Sequence, residues 1–145
     1  MQREELEKKA FDYYNNGFCC SESLSKAIID HFADNPEGYS VNTASAFCGG
    51  IGKTRADICG ALAGAVIAVG YLYGRTEQGK DISLAAAIIA EFRRQFIEAF
   101  GATNCTLLLE KMGEQEKANK CKQMTQKATG MLYDILIEMK SKQNT

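Results

Sequence analysis

Six cysteines, Cys19, Cys20, Cys48, Cys59, Cys105 and Cys121, are the residues of this chain best suited to chemistry. Cysteine sulfur exchanges disulfides, binds soft metals and carries iron–sulfur clusters, and its pKa and neighbours decide which. Cys20, Cys59, Cys105 and Cys121 each fall where a helix is expected to begin. Unpaired backbone N–H groups and the positive dipole end are expected to lower a thiol's pKa there. Cys121 shares that advantage only if its helix starts near Asn119. The chain has no C-x-x-C pair, so any sulfur site must be assembled by tertiary contacts. Four thiolates converging within about 5 Å would repel by about 3 kcal/mol per pair at an effective dielectric of about 20. Such a cluster must be mostly protonated, disulfide-bonded, or neutralised by a metal or iron–sulfur centre.

Helical register separates the thiols. Cys20 aligns with Leu24, Ala27 and His31; Cys59 with Leu62, Val66 and Tyr73; Cys105 with Leu108, Leu109 and Met112; Cys121 with Met124, Ala128 and Ile135. All four are expected to point inward. Cys19 lines up with Ser23, Lys26 and Asp30 and is expected at the surface or rim. Cys48 follows Val41 and Ala44 inward but ends its helix, where the dipole disfavours a thiolate.

The elements that must position these thiols are helical. Apolar residues recur at three and four, strand-like alternation is scarce, and Pro36 is the one proline, so the fold class is all-α, a bundle of six or seven helices. The helices are expected over Gln2 to Asn16, Cys20 to Ala33, Val41 to Phe47, Asp57 to about Tyr73, Ile82 to Phe100, a short stretch from Thr103-Asn104 to Gly113, and a last one ending near Lys140. The glycine- and alanine-rich helix at about 57–73 is expected to be the buried centre of one helical domain spanning residues 1–145. The loop Gly49 to Gly52 is expected to act as a lid or hinge beside the thiols, since glycine permits close backbone approach.

Composition excludes several classes. With 145 residues, 46% of them hydrophobic, and 17 basic against 18 acidic side chains, the chain has no basic field for nucleic acid. The uncharged stretch Ile58 to Gly74 rises only about 25 Å against a hydrocarbon core of about 30 Å, so no membrane span is expected. Met1 to Lys9 alternates charges and lacks the apolar run of a secretory signal, which makes a cytoplasmic location the expectation. Gly52-Lys53-Thr54 resembles the end of a phosphate-binding loop, but Phe47 stands where that loop needs glycine. His31, eleven residues beyond Cys20, lies too far along its helix to share a site with it.

The run Cys59-Gly60-Ala61-Leu62-Ala63-Gly64, followed by Gly70 and Tyr73-Gly74-Arg75, resembles the C-G-A-x-x-G element of the C_GCAxxG_C_C family, a family of redox-active character. Phe47 with Gly49, Gly50 and Gly52 is similar to the glycine-rich loop before that element. Cys20, Cys105 (just after Phe100-Gly101) and Cys121 resemble the other family cysteines, whereas Cys19 and Cys48 match none. The resemblance implies redox thiols at Cys20, Cys59, Cys105 and Cys121, with Gly49, Gly50, Gly52, Gly60 and Gly64 in support. The expected function is thiol/disulfide chemistry of an oxidoreductase-like kind with an unidentified redox partner. The alternative is that the same four cysteines hold an iron–sulfur cluster or zinc. A second alternative is a helical interaction protein, including a homo-oligomer, that pairs through its methionine and glycine faces. Gly60 and Gly64 are expected to let another backbone close on the start of their helix and bring a second thiol to Cys59.

Overall fold

The computed structural model describes residues 2–143. Its helices are α1 (Gln2–Asn15), α2 (Cys20–Phe32), α3 (Gly60–Tyr73), α4 (Ser83–Phe100), α5 (Cys105–Met112) and α6 (Asn119–Gln143), with 3-10 helices over Pro36–Gly38 and Val41–Phe47. The fold is all-α. Among the described residues, strand-like pairing is confined to an isolated bridge between Ile58 and Asn104. Among the described residues, no helix is long and apolar enough to cross a membrane. Several boundaries follow from local chemistry. Asn104 caps α5 by accepting the Leu107 N–H at 3.1 Å. Gly101, at φ 90°, closes α4 with its N–H on the Ile97 carbonyl. The segment Val41–Phe47 winds as a 3-10 helix where the apolar spacing suggests an α-helix.

Two helices share the centre. The first six residues of α3, Gly60 to Ala65, are all buried, as expected for the glycine- and alanine-rich rod. The more connected element is α2, which packs against α1, α3, α6 and both 3-10 helices. Its contacts bury Ser21, Ser23 and Ser25 together with Leu24, Ala27, Ile28 and Ile29. The stripe through Ser23 therefore does not face water as its polarity suggests. Small hydroxyl side chains let neighbours approach, and two of the three find partners: Ser21 Oγ donates to the Ala44 carbonyl at 2.8 Å, and Ser25 Oγ meets Tyr39 Oη at 2.7 Å. Phe92 and Phe96 of α4, Val69 of α3, and Leu132 and Leu136 of α6 complete the core. Each such side chain contributes about 1.5–3 kcal/mol on burial.

Two register readings are corrected. Val66, expected inward with Cys59, is 43% exposed, because Cys59 is the residue before α3 and does not share its register. His31, expected in the stripe of Cys20, is exposed at the edge, against Phe32 and Tyr133. Cys19 also precedes its helix, with consequences described below.

The closest backbone approach in the core joins α2 to α3. A Cβ added at Gly60 would land on Cys20 Sγ, and one at Gly64 would come within 2.6 Å of the Ser21 carbonyl oxygen and 3.1 Å of Ser21 Cα. These contacts are with backbone or a buried sulfur, so neither yields easily. Gly70, by contrast, has nothing within 4 Å of an added Cβ. Urea unfolding should show Gly64→Ala losing about 1–3 kcal/mol by overpacking. Gly70→Ala in the same helix should gain up to about 1 kcal/mol from propensity. Equal stability of the two variants would contradict this packing.

Candidate functional site

Three local devices carry four cysteines to one place. First, the capping pattern of α2 puts Cys20 in its first turn: the Glu22 side chain reaches back to accept the Cys19 N–H at 3.0 Å, and the glycine contact then seats Cys20 Sγ on Gly60. Second, the segments entering α3 and α5 pair antiparallel. Cys59 N–H donates to the Thr103 carbonyl at 2.7 Å and Cys105 N–H to the Asp57 carbonyl at 2.8 Å, which locks the two helix starts side by side. Third, α6 begins at Asn119, so Cys121 does stand in a first turn. Gln115 holds it at both ends, its Oε1 accepting the Cys121 N–H at 2.9 Å and its Nε2 donating to the sulfur at 3.3 Å.

The loop between the second 3-10 helix and α3 packs over this assembly. Gly49, Gly50, Ile51, Gly52 and Lys53 in succession have φ between 60° and 71°, and Arg55 follows at 61°. For a β-branched residue such as Ile51 that region is strained. Hydrogen bonds hold it: Gly52 N–H to the Ala46 carbonyl at 2.8 Å, Lys53 N–H to Cys48 at 2.9 Å, and Arg55 N–H to Gly49 at 2.7 Å. At Gly50 a Cβ would lie 2.7 Å from Cys105 Cβ, so glycine is required there by space as well as by φ.

All six cysteines line one cavity of about 430 Å³. Tyr14, Lys53, Arg55 and Gln115 contribute polar groups, and Leu108, Leu109, Met112 and Met124 form its apolar wall. Cys20 and Cys59 are buried, Cys105 and Cys121 half-buried, and all four are free thiols. A wider groove of about 570 Å³, between α4 and α6, contains no cysteine or histidine.

Burial reverses the expected effect of helix starts on the thiols. Desolvation pushes Cys20 up to about 11, against opposing pulls from the Gly49 and Ser21 N–H groups. Cys59 goes up to about 12, again chiefly by burial and then by the neighbouring Cys20, with Ala61 and Leu62 N–H groups opposing. Cys105 is also raised, first by burial and then by Cys121, while Arg55 draws it back. Tyr14 is pushed up by burial and by the charges of all four thiols. A helix N-terminus supplies about 0.3–1 kcal/mol, less than the cost of ionising a thiol inside a protein.

The other two cysteines form a disulfide, Cys19–Cys48, with Cα atoms 6.0 Å apart. Cys48 is buried and Cys19 half-buried, at the rim, as its register allows, but joined to Cys48. The physical reason is that Cys19 is the cap residue of α2, in extended conformation at φ −101° and ψ −177°, which turns its side chain out of the helical stripe and toward Cys48. The spacing Cys19-x-x-Glu22 resembles a capping box and is the signal that places it so. Gln115, Tyr14, Lys53 and Arg55 are further cavity residues that register and motif do not single out.

The chain belongs to the family described as "Putative redox-active protein (C_GCAxxG_C_C)", whose model matches residues 18–135. No curated protein and no solved structure matches the chain.

The raised thiols fix a pH dependence. An unfolded cysteine ionises near pH 8.5, whereas Cys20 and Cys59 keep their protons to about 11 and about 12. Between those values the folded state binds more protons, so the stability they contribute is complete below the unfolded pKa and lost as pH rises through the folded one. Urea unfolding at about pH 8 and about pH 10.5 should show this decline, and Cys59→Ala should flatten it. A decline of the same size in Cys59→Ala would contradict the assignment.

Proposed function

We propose that the protein is a thiol/disulfide redox protein whose working groups are Cys20, Cys59, Cys105 and Cys121. The observation that carries this reading is the single cavity lined by these four free thiols and, in the same wall, by an oxidised pair. Thiols gathered against one space can attack an incoming disulfide and then resolve the mixed disulfide among themselves.

The environments divide the labour. Cys105 is half-buried and lies beside the Arg55 charge, and Cys121 receives a hydrogen bond from Gln115, so these two are the entry thiols. Cys20 and Cys59, neutral at pH 7, are resolving thiols that ionise only as a bond forms. Oxidation takes two steps: an entry thiolate attacks the disulfide of a partner and releases one partner thiol, then a resolving thiol displaces the second. Two chain thiols become one disulfide, and the partner disulfide becomes two thiols.

The donor set also supports a second reading, an iron–sulfur centre. Tetrahedral zinc, with Zn–S near 2.3 Å, needs sulfurs about 3.8 Å apart. Among the described residues, the one group of three ligand atoms lying mutually within 4.8 Å is Cys19, Glu22 and Cys48, so no three of the four thiols are gathered for a single ion. A polynuclear cluster, which holds its cysteines further apart, suits their wider spacing better.

Equilibration of the full chain with mixtures of reduced and oxidised dithiothreitol, followed by acid trapping and disulfide mapping, tests the first reading. The expected product is a reversible disulfide between an entry and a resolving thiol, lost in Cys105→Ser/Cys121→Ser and retained in Cys48→Ser. Brown, iron-loaded protein from anaerobic purification would favour the second reading. Thiols that alkylate readily and never pair, in a metal-free chain, would sink both.

A further inference from the structure

The residues outside the four-cysteine set form a site of their own. Cys19 Sγ, Cys48 Sγ and a Glu22 carboxylate oxygen lie mutually within 4.8 Å. We propose that reduction of the Cys19–Cys48 disulfide creates a binding site for a thiophilic divalent cation, zinc being the type, with Cys19, Glu22 and Cys48 as ligands. The proposal is independent of the four-thiol reading.

The carboxylate is already oriented. Glu22 Oε1 accepts the Cys19 N–H at 3.0 Å and lies 3.8 Å from Cys48 Sγ, while Oε2 accepts from Ser45 Oγ at 2.7 Å. Hydrogen bonds that fix a ligand's orientation in advance are the usual support of a metal centre. The completely buried Ser21 places its hydroxyl 3.4 Å from Cys19 Sγ and 3.6 Å from Cys48 Sγ, and its proton goes to the Ala44 carbonyl. Ser21 Oγ or a water would complete four-coordination. Thiolate, carboxylate and a neutral oxygen together are a donor set that zinc accepts.

Charge argues the same way. Two thiolates, one carboxylate and a divalent cation sum to a single negative charge, placed at the N-terminus of α2 where the helix dipole favours an anion. Lys53 and Arg55 line the adjoining cavity. Without the metal, reduction would leave sulfur and carboxylate crowded together.

The balance is closed. A dithiol reductant gives two electrons and two protons to the Cys19–Cys48 bond and becomes a disulfide. The two new thiols then lose their protons to solvent as the metal binds. Re-oxidation by a disulfide removes both thiolates and must release the metal, because a disulfide sulfur is a poor ligand. Binding is thereby gated by redox state.

The test uses the full chain, stripped of metal, without oxygen, in two states: phosphine-reduced and disulfide-intact. Cobalt(II) reports thiolate ligation through its sulfur-to-metal charge-transfer absorption, and zinc displaces it. The reduced chain should bind one equivalent more than the disulfide-intact chain, and Cys48→Ser should lose that equivalent. Glu22→Gln, which keeps an acceptor for the Cys19 N–H, should weaken it by about 10–100-fold. Cys105→Ser should retain it. Equal stoichiometry in the reduced and disulfide-intact chains would overturn the proposal without any variant, as would unchanged affinity in a folded Glu22→Gln. Neither result bears on whether Cys20, Cys59, Cys105 and Cys121 pair.

Discussion

The structure depends on two missing methyl groups. Where α2 enters the core, its first residues rest on Gly60 and Gly64 of α3, with Cys20 Sγ on one and the Ser21 backbone on the other. Any larger residue at either position would have to move backbone or a buried sulfur. The close approach brings Cys20 toward Cys59 and sets Ser21 against Ala44 and Cys48. That contact in turn anchors the end of the 3-10 helix from which the left-handed loop departs. The loop packs on Cys105, and the paired entries of α3 and α5 tie Cys105 to Cys59.

The chemistry that follows is a contest between burial and local dipoles, and burial wins. Helix starts point N–H groups at Cys20 and Cys59, yet both thiols are held well above their ordinary value. Cys20 and Cys59 are therefore held as neutral thiols at pH 7. In the proposed exchange the entry thiols are Cys105, which the Arg55 charge draws back toward its ordinary value, and Cys121, which receives a hydrogen bond from Gln115.

Much of this was legible in the residues. The three-and-four spacing gave the helices, and the small residues at Gly60 and Gly64 announced a close neighbour, whereas the start of α6 at Asn119 stood only as a condition on Cys121. Register failed where it was carried past a helix end. Cys59 precedes its helix, so the face inferred for Val66 did not apply. Ser23 misled because its small side chain is enclosed although its hydroxyl finds no partner, while its neighbours Ser21 and Ser25 are satisfied by a carbonyl and a phenol oxygen. The Cys19–Cys48 bond and the hold of Gln115 on Cys121 are tertiary contacts. Of these, only the Cys19-x-x-Glu22 spacing left a local trace.

The account rests on the convergence of Cys20, Cys59, Cys105 and Cys121. A short bifunctional thiol reagent, applied anaerobically to the native chain and followed by peptide mapping, measures that convergence directly. The account predicts intramolecular bridges joining members of this set while the Cys19–Cys48 bond stays intact. Single-ended adducts alone, with no bridge between any two of the four, would contradict it.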